Sequence, residues 1–301
     1  MSSADFRSNP DNFCYRHPDR QSFVLCQRCL RTICPECQTP LPVGVICPEC
    51  LQAHAASAPP RAKPTRMPPR LRAVMAADAR PLVTYAIVAA TTFVWLLSLI
   101  PGLGPLVQRS LLLYAPYLYP ELSGAFEPWR LLTVLLVHGS FWHAGLNMLA
   151  LWMLGRSLEP LLGRARFLWL YLLSGLGGSV AVVLFGFTTP VIGASGAIFG
   201  MFGALLVIGR HIGANITGIA VVLGINLVLT FLPLIGSLVG ASSSLEISWQ
   251  AHVGGLAVGA LVGLIYARTR AVRQRRTQTL LLAATTAGLV LLLVVPALVY
   301  R

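Results

Sequence analysis

The sequence predicts an all-α polytopic membrane protein that carries a small Cys-rich module near its N-terminus. Three observations predict it. First, 55% of the 301 residues are hydrophobic and only 11% are charged, with a mean hydropathy of +0.71. A soluble domain of this size carries about 25% charged residues, so much of this surface does not face water. Second, seven apolar segments follow one another from Leu82 onward, each near the ~20 residues a helix needs to cross a bilayer. Third, all seven cysteines lie between Cys14 and Cys50, outside the apolar part.

The module is residues 1–52. Its paired spacings are Cys14-x2-His17, Cys26-x2-Cys29, Cys34-x2-Cys37 and Cys47-x2-Cys50. An odd cysteine count in close pairs argues against a disulfide framework. The pairs offer enough ligands for two tetrahedral zinc ions. Cys29 and Cys34 are too close in the chain for two successive knuckles, so the sites are expected to interleave. One would use Cys14, His17, Cys34 and Cys37; the other would use Cys26, Cys29, Cys47 and Cys50. The opening spacing resembles that of B-box-type zinc fingers. So short a segment has too little core to fold unaided, and the metal is expected to supply much of its folding energy. Four ligands per ion imply a structural zinc, because a catalytic ion keeps an open position. Reduced thiols suit a cytoplasmic location, and a cytoplasmic protein partner is expected for the module.

Residues 53–80 are a linker rich in Ala, Pro, Arg and Lys, including Pro59, Pro60, Pro64, Pro68 and Pro69. Such a composition builds no core and favours extended backbone. The first apolar run begins near Leu82, too late for an ordinary cleaved signal peptide.

The apolar segments are 82–101, 130–155, 166–186, 194–210, 217–235, 248–267 and 279–299. The runs are continuous and do not alternate, which predicts helices and not barrel strands. The second carries His138 and His143 near its start, so its span is expected to begin near His143. The preceding loop, residues 102–129, holds Tyr114, Tyr117, Tyr119, Phe126 and Trp129. Aromatic side chains settle at membrane interfaces, so this loop is expected in the outer leaflet.

Eleven of the 23 basic residues lie at or before Arg80, and five lie between Arg268 and Arg276. Arg156, Arg164 and Arg166 flank the next cytoplasmic turn, and Arg210 ends the fourth segment. The opposite loops, near 187–193 and 236–247, contain no Lys or Arg. Cytoplasmic loops collect positive charge, so the N-terminus is expected in the cytoplasm and the C-terminus outside. The net charge of +13 is explained this way. No nucleic acid is expected as a partner, because the recognition modules for it are absent.

Strongly polar residues inside membrane segments are costly and face the bundle interior. They are His138, His143, Asn147, Ser195, Asn226, Glu246 and His252. Ser195 sits in Gly193-Ala194-Ser195-Gly196, where an external loop enters the fourth segment. A helix N-terminus presents free amides to negative charge, as an acyl-transfer intermediate requires. A capping or packing serine would look the same. His252 lies early in the sixth segment, on the same external side. It could serve as a general base for Ser195, whose hydroxyl is a poor nucleophile unaided, or pack, or bind metal. Gly196, Gly200 and Gly203 on one segment and Gly255, Gly259 and Gly263 on the other allow close approach. His143 and Asn147 are four residues apart and share a helix face. They could stabilise an oxyanion or clamp two helices. His138, His143 and His252 could in principle hold a metal, but no Asp lies within the apolar segments to join them.

Taken in order, these residues resemble the rhomboid family of intramembrane serine proteases. Trp129-Arg130 is similar to the family's Trp-Arg pair before helix 2. His138 to Asn147 resembles its His-x4-His-x3-Asn element, Gly193 to Gly196 its Gly-x-Ser-Gly element, and Ala251 to Gly255 its base-bearing stretch. Gly155 and Glu159 resemble its Gly-x3-Glu stretch. The resemblance covers about residues 82–267. It implies a six-helix rhomboid-like core over 81–270, with residues 271–301 adding a basic loop and a seventh transmembrane helix. It implies Ser195 as nucleophile and His252 as base. It implies His143, Asn147 and the Ser195 amide as oxyanion donors, with Arg130 supporting the preceding loop. Phe199 stands where the family often has a tyrosine that packs against the base; the aromatic face is kept and the hydroxyl lost. The expected function is an intramembrane endopeptidase of the cell membrane. It would cleave transmembrane protein substrates near their outer end, with the lipid bilayer around it and no cofactor for catalysis. A non-proteolytic rhomboid-like protein that binds membrane helices is the rival; it predicts a missing Ser or His, and both are present.

Overall fold

The structure is a computed structural model that describes residues 10–41, 44–57, 80–238 and 247–300. Most of the linker, Glu246 and residues 239–246 of the predicted 236–247 loop lie outside the described residues. The chain divides into two compact units, before and after Pro68.

The N-terminal unit has little regular structure. Strands β1 (Phe13–Cys14) and β2 (His17–Gln21) form one short hairpin, β3 (Thr39–Pro40) and β4 (Val45–Ile46) a second, and helix α1 runs Pro48–Ser57. Its buried hydrophobic residues are Ile33, Ile46 and five of the cysteines. Two isoleucines are a small apolar core, which is why the thiols must gather for another reason.

The second unit is helical. Helix α2 spans Leu82–Ser98, α3 Leu103–Leu111, α4 Phe141–Leu162, α5 Arg164–Phe185, α6 Ser195–His211 and α7 Thr217–Leu238. Helix α8 spans Trp249–Arg268, and α9 (Arg275–Leu292) continues into α10 (Val294–Val299). Among the described residues α5, α8 and the α9–α10 pair are each long and apolar enough to cross a membrane. A bent pair adds a fourth span, and α2, α6 and Thr217–Leu232 of α7 are shorter apolar helices. The chain is thus an all-α polytopic membrane protein.

Local signals explain the helix ends. Ser140 caps α4 by accepting the His143 N–H at 3.1 Å, and Ser248 caps α8 by accepting that of Ala251 at 3.3 Å. Gly163, at φ +82°, turns α4 into α5. The second apolar segment departs from its predicted bounds of 130–155. Residues Arg130–Leu136 form short turns that meet α4 at 98°, because Val137 is extended and Ser140 starts a new helix. At its other end the helix runs on past Arg156 to Leu162. Glu159 permits this by turning inward: it is 1% exposed and accepts the N–H groups of Val83 and Thr84 at 2.9 and 2.8 Å, and the Thr84 hydroxyl at 2.7 Å. It thereby caps the start of α2, where Pro81 offers no side-chain oxygen.

The loop of residues 102–129 is built around Arg130. Its guanidinium donates to the carbonyls of Arg109 and Leu112 at 2.6 and 2.8 Å, pairs with Glu127 and lies over the Tyr117 ring. Thr133 adds a hydrogen bond to Leu111 O at 2.9 Å.

Helices α5, α6 and α8 form the dense centre. Lipid tails are as apolar as leucine, so these helices associate by close packing. A Cβ on Gly255 would stand 2.0 Å from Gly196 O, and one on Gly259 2.0 Å from Gly200 O. On α5, a Cβ at Gly178 would stand 2.8 Å from Ala251 O. The opposing atoms are backbone and cannot step aside. Gly259→Leu is therefore expected to cost more than the ~1–3 kcal/mol of ordinary overpacking and to lower the melting temperature in detergent. Gly288→Leu, on a face with nothing within 4 Å, is the control. Equal melting temperatures for the two variants would contradict this packing.

Candidate active site

The close approach of α6 and α8 puts two chemical groups together. Ser195 is the first residue of α6, and His252 lies in the first turn of α8. The Ser195 Oγ and His252 Nε2 atoms are 2.8 Å apart. Their chain separation is 57 residues, so only the helix packing makes this contact. His252 is 8% exposed. The Phe199 ring, one turn along α6, stacks on the imidazole with centroids 4.0 Å apart and planes 12° from parallel.

The strand-like loop before Ser195 is held on both sides. Leu113 and Val191 exchange backbone hydrogen bonds of 3.0 and 2.8 Å, and Gly193 N–H donates to Val134 O at 3.0 Å. Buried His138 accepts the Ala194 N–H through Nε2 at 3.4 Å. Gly193 has φ +121°, and a Cβ there would stand 2.7 Å from His143 Nε2 and 3.9 Å from Ser195 Oγ. Glycine is needed at this position for two reasons: the backbone angle and the imidazole against it.

His143 therefore borders the nucleophile loop. Its ring also meets that of His138 edge-on, with centroids 4.9 Å apart. Asn147 is buried, and its Nδ2 donates to His143 O at 2.7 Å within the same helix. That uses one of its two amide hydrogens and leaves the second for another acceptor. The groups around Ser195 Oγ are thus an imidazole in contact, a second imidazole beside the loop, and the unpaired amides of a helix start, whose dipole is positive.

Sequence reasoning passes over one residue that touches this group. Thr230, on α7, is 2% exposed, and its Oγ1 lies 2.7 Å from His252 Nδ1. A threonine in an apolar run carries no signal by itself. Its four-residue spacing from Asn226, a residue the sequence does single out, is the signal that could have found it.

In the N-terminal unit the thiols and imidazole gather into two groups: Cys14, His17, Cys34 and Cys37, and Cys26, Cys29, Cys47 and Cys50. In the first, His17 Nδ1 lies 3.8, 3.4 and 3.5 Å from the sulfurs of Cys14, Cys34 and Cys37. In the second, Cys29 and Cys47 Sγ are 3.8 Å apart. A tetrahedral ion with Zn–S ~2.3 Å and Zn–N ~2.0 Å requires ligand edges of roughly 3.5–3.8 Å, so both groups fit a metal ion of that kind. Neighbouring donors favour the thiolate at Cys26 and Cys29, whereas burial raises Cys37 and Cys50. Arg31 donates to Cys29 Sγ at 3.4 Å and lowers that thiol. Burial works to raise Cys26, but the N–H groups of Cys29 and Cys47 outweigh it and bring the thiol down to about 6.

The fold defines the class: a polytopic all-α membrane protein, here with a serine and a histidine in contact at one end of its central helices. The family model for the Rhomboid domain matches residues 125–269, just under half of the chain. The chain is 38% identical over 172 residues to Rhomboid protease GluP of Bacillus subtilis, covering 54% of this chain and 31% of that protein. It is 36% identical over 146 residues to RHOMBOID-like protein 4 of Arabidopsis thaliana, covering 46% of this chain and 34% of that protein. Rhomboid protein 1, mitochondrial, of Saccharomyces cerevisiae is 28% identical over 211 residues, 65% of this chain and 57% of that protein. The matched region spans only about a third of the length of the first two.

Proposed function

We propose that the chain is an intramembrane serine endopeptidase that cleaves transmembrane protein substrates near their outer membrane end. The 2.8 Å approach of Ser195 Oγ to His252 Nε2 carries the reading. The Rhomboid domain and relatives named as rhomboid proteases support it.

His252 Nε2 takes the Ser195 proton as Oγ attacks the scissile carbonyl. His143, Asn147 and the Ser195 amide donate to the oxyanion as it forms, where fixed donors in a dry site act most strongly. His252 then gives its proton to the leaving amine, and water attacks the acyl-enzyme with His252 again as base. An intact substrate helix hides its carbonyls in internal hydrogen bonds. Segments with helix-weakening residues near the cleavage point are therefore the preferred substrates.

The remaining parts follow from charge and ligand chemistry. Arg156, Arg164, Arg166, Arg210 and Arg268 sit at the opposite ends of the helices from Ser195 and His252. This asymmetry of charge supports an orientation with the dyad on the outer side of the cell membrane, the N-terminus cytoplasmic and the C-terminus external. Residues 1–52 hold two structural zinc ions and meet a cytoplasmic protein; residues 53–80 link them to the core at 81–270; residues 271–301 add the last helix.

A fluorophosphonate tests the centre of this proposal. The purified wild-type protein is expected to be labelled on Ser195, Ser195→Ala not at all, and His252→Ala far more slowly. In sealed cells a membrane-impermeant reagent is expected to reach Ser195 from outside. Wild-type protein that neither labels nor cleaves a transmembrane substrate sinks the peptidase reading; labelling only from the cytoplasmic side sinks the orientation.

A further inference from the structure

A serine–histidine pair leaves one matter open: what holds the second ring nitrogen of the base. Stacking on Phe199 fixes the plane of the His252 ring. It does not decide which nitrogen carries the hydrogen. If Nε2 carried it, that hydrogen would point at Ser195 Oγ and Nε2 could not accept the Ser195 proton. In serine proteases with a triad, an acidic partner at Nδ1 makes this choice. Here a hydroxyl occupies that place. Thr230 Oγ1 is 2.7 Å from His252 Nδ1 and also 2.7 Å from Asn226 O.

The hydroxyl has one hydrogen and two lone pairs. The Asn226 carbonyl can only accept, so it takes the Thr230 hydrogen, as helix threonines commonly bond four residues back. The lone pairs of Oγ1 then face Nδ1, which must come as N–H. The relay continues backward, since Asn226 Nδ2 donates to Val222 O at 2.8 Å and so helps fix the residue whose carbonyl orients Thr230. The inward stripe of α7, Ile219, Leu223 and Leu227, packs on the core and sets the helix rotation that aims Thr230 at His252.

We propose that Thr230 is a positioning residue for His252: it accepts the Nδ1 hydrogen, holds the ring in the tautomer with Nε2 bare, and so keeps the base competent to take the Ser195 proton. The inference rests on the peptidase reading of the Ser195–His252 pair.

The test uses the full-length protein in lipid nanodiscs with 15N-labelled histidine, the His252 signals being assigned by their loss in His252→Gln. Neutral His252 is expected to carry its hydrogen on Nδ1, and Thr230→Val to shift it toward Nε2. Thr230→Val is expected to lower kcat about 10-fold, the weight of one oriented hydrogen bond, with KM within about twofold. Thr230→Ser, which restores the hydroxyl, is expected to recover most of the rate. Wild-type His252 found with its hydrogen on Nε2 overturns the inference. So does a Thr230→Val protein of unchanged kcat and tautomer. If Thr230→Val fails to fold, the wild-type tautomer and the Thr230→Ser rate still decide. If wild-type protein neither labels nor cleaves, the peptidase reading falls, while the tautomer of the same sample still settles what Thr230 does.

Discussion

Ser195→Ala is expected to lower the rate of transmembrane-helix cleavage by about 10⁴-fold or more, and the double variant Ser195→Ala/His252→Ala to be no slower. In the proposed dyad the two residues, 2.8 Å apart, act as one unit. Once the nucleophile is gone, a base that activates it has nothing to do. Effects within such a unit do not add. A 10⁴-fold loss corresponds to ~5.5 kcal/mol of transition-state stabilisation. His143→Ala should behave differently. It leaves the dyad in place and removes a group beside the nucleophile loop, so its loss should multiply with losses elsewhere. The measurement is single-turnover cleavage of a reconstituted substrate by these three variants and by His252→Ala. A double variant slower than Ser195→Ala by another factor comparable to that of His252→Ala alone would show two independent groups, and the dyad would be wrong.

The second large effect is metal removal. Apparent binding energies of ~10–16 kcal/mol per structural zinc exceed what a core of two isoleucines can supply, so the N-terminal unit is expected to unfold on chelation. The protein reports this conveniently, because all seven cysteines lie in that unit. Treatment with a strong chelator should release two zinc ions per chain and make every thiol reactive to a colorimetric disulfide reagent. Fluorophosphonate labelling of Ser195 should not change, since the dyad's chemistry draws on no metal. Thiols that react equally fast before and after chelation would contradict the metal sites. Labelling that disappears with the metal would contradict the separation of roles.

Legibility differs between the two units for a physical reason. The candidate metal ligands come in pairs with two residues between them, and their spacing already restricts how pairs can combine. The membrane helices are legible as segments because hydropathy records the solvent around them. Their ends are less so. The second apolar segment reads as ending at residue 155, yet α4 runs on to Leu162, with Glu159 buried and capping α2 from inside the bundle. At the other end of that segment the reading comes close: the span is expected to begin near His143, and α4 begins at Phe141, where Ser140 caps a new start.

By itself, then, the sequence determined the class of the protein: a helical membrane chain, the polar residues it tolerates within the apolar segments, and the order of motifs that resembles one protease family. The tertiary structure alone decided which faces meet. Lipid surrounds these helices with a solvent as apolar as their own side chains, so hydropathy says little about how each helix is rotated. Rotation is what brings Gly255 and Gly259 against the backbone of α6, Ser195 against His252, and Thr230 of α7 against the far side of the same imidazole.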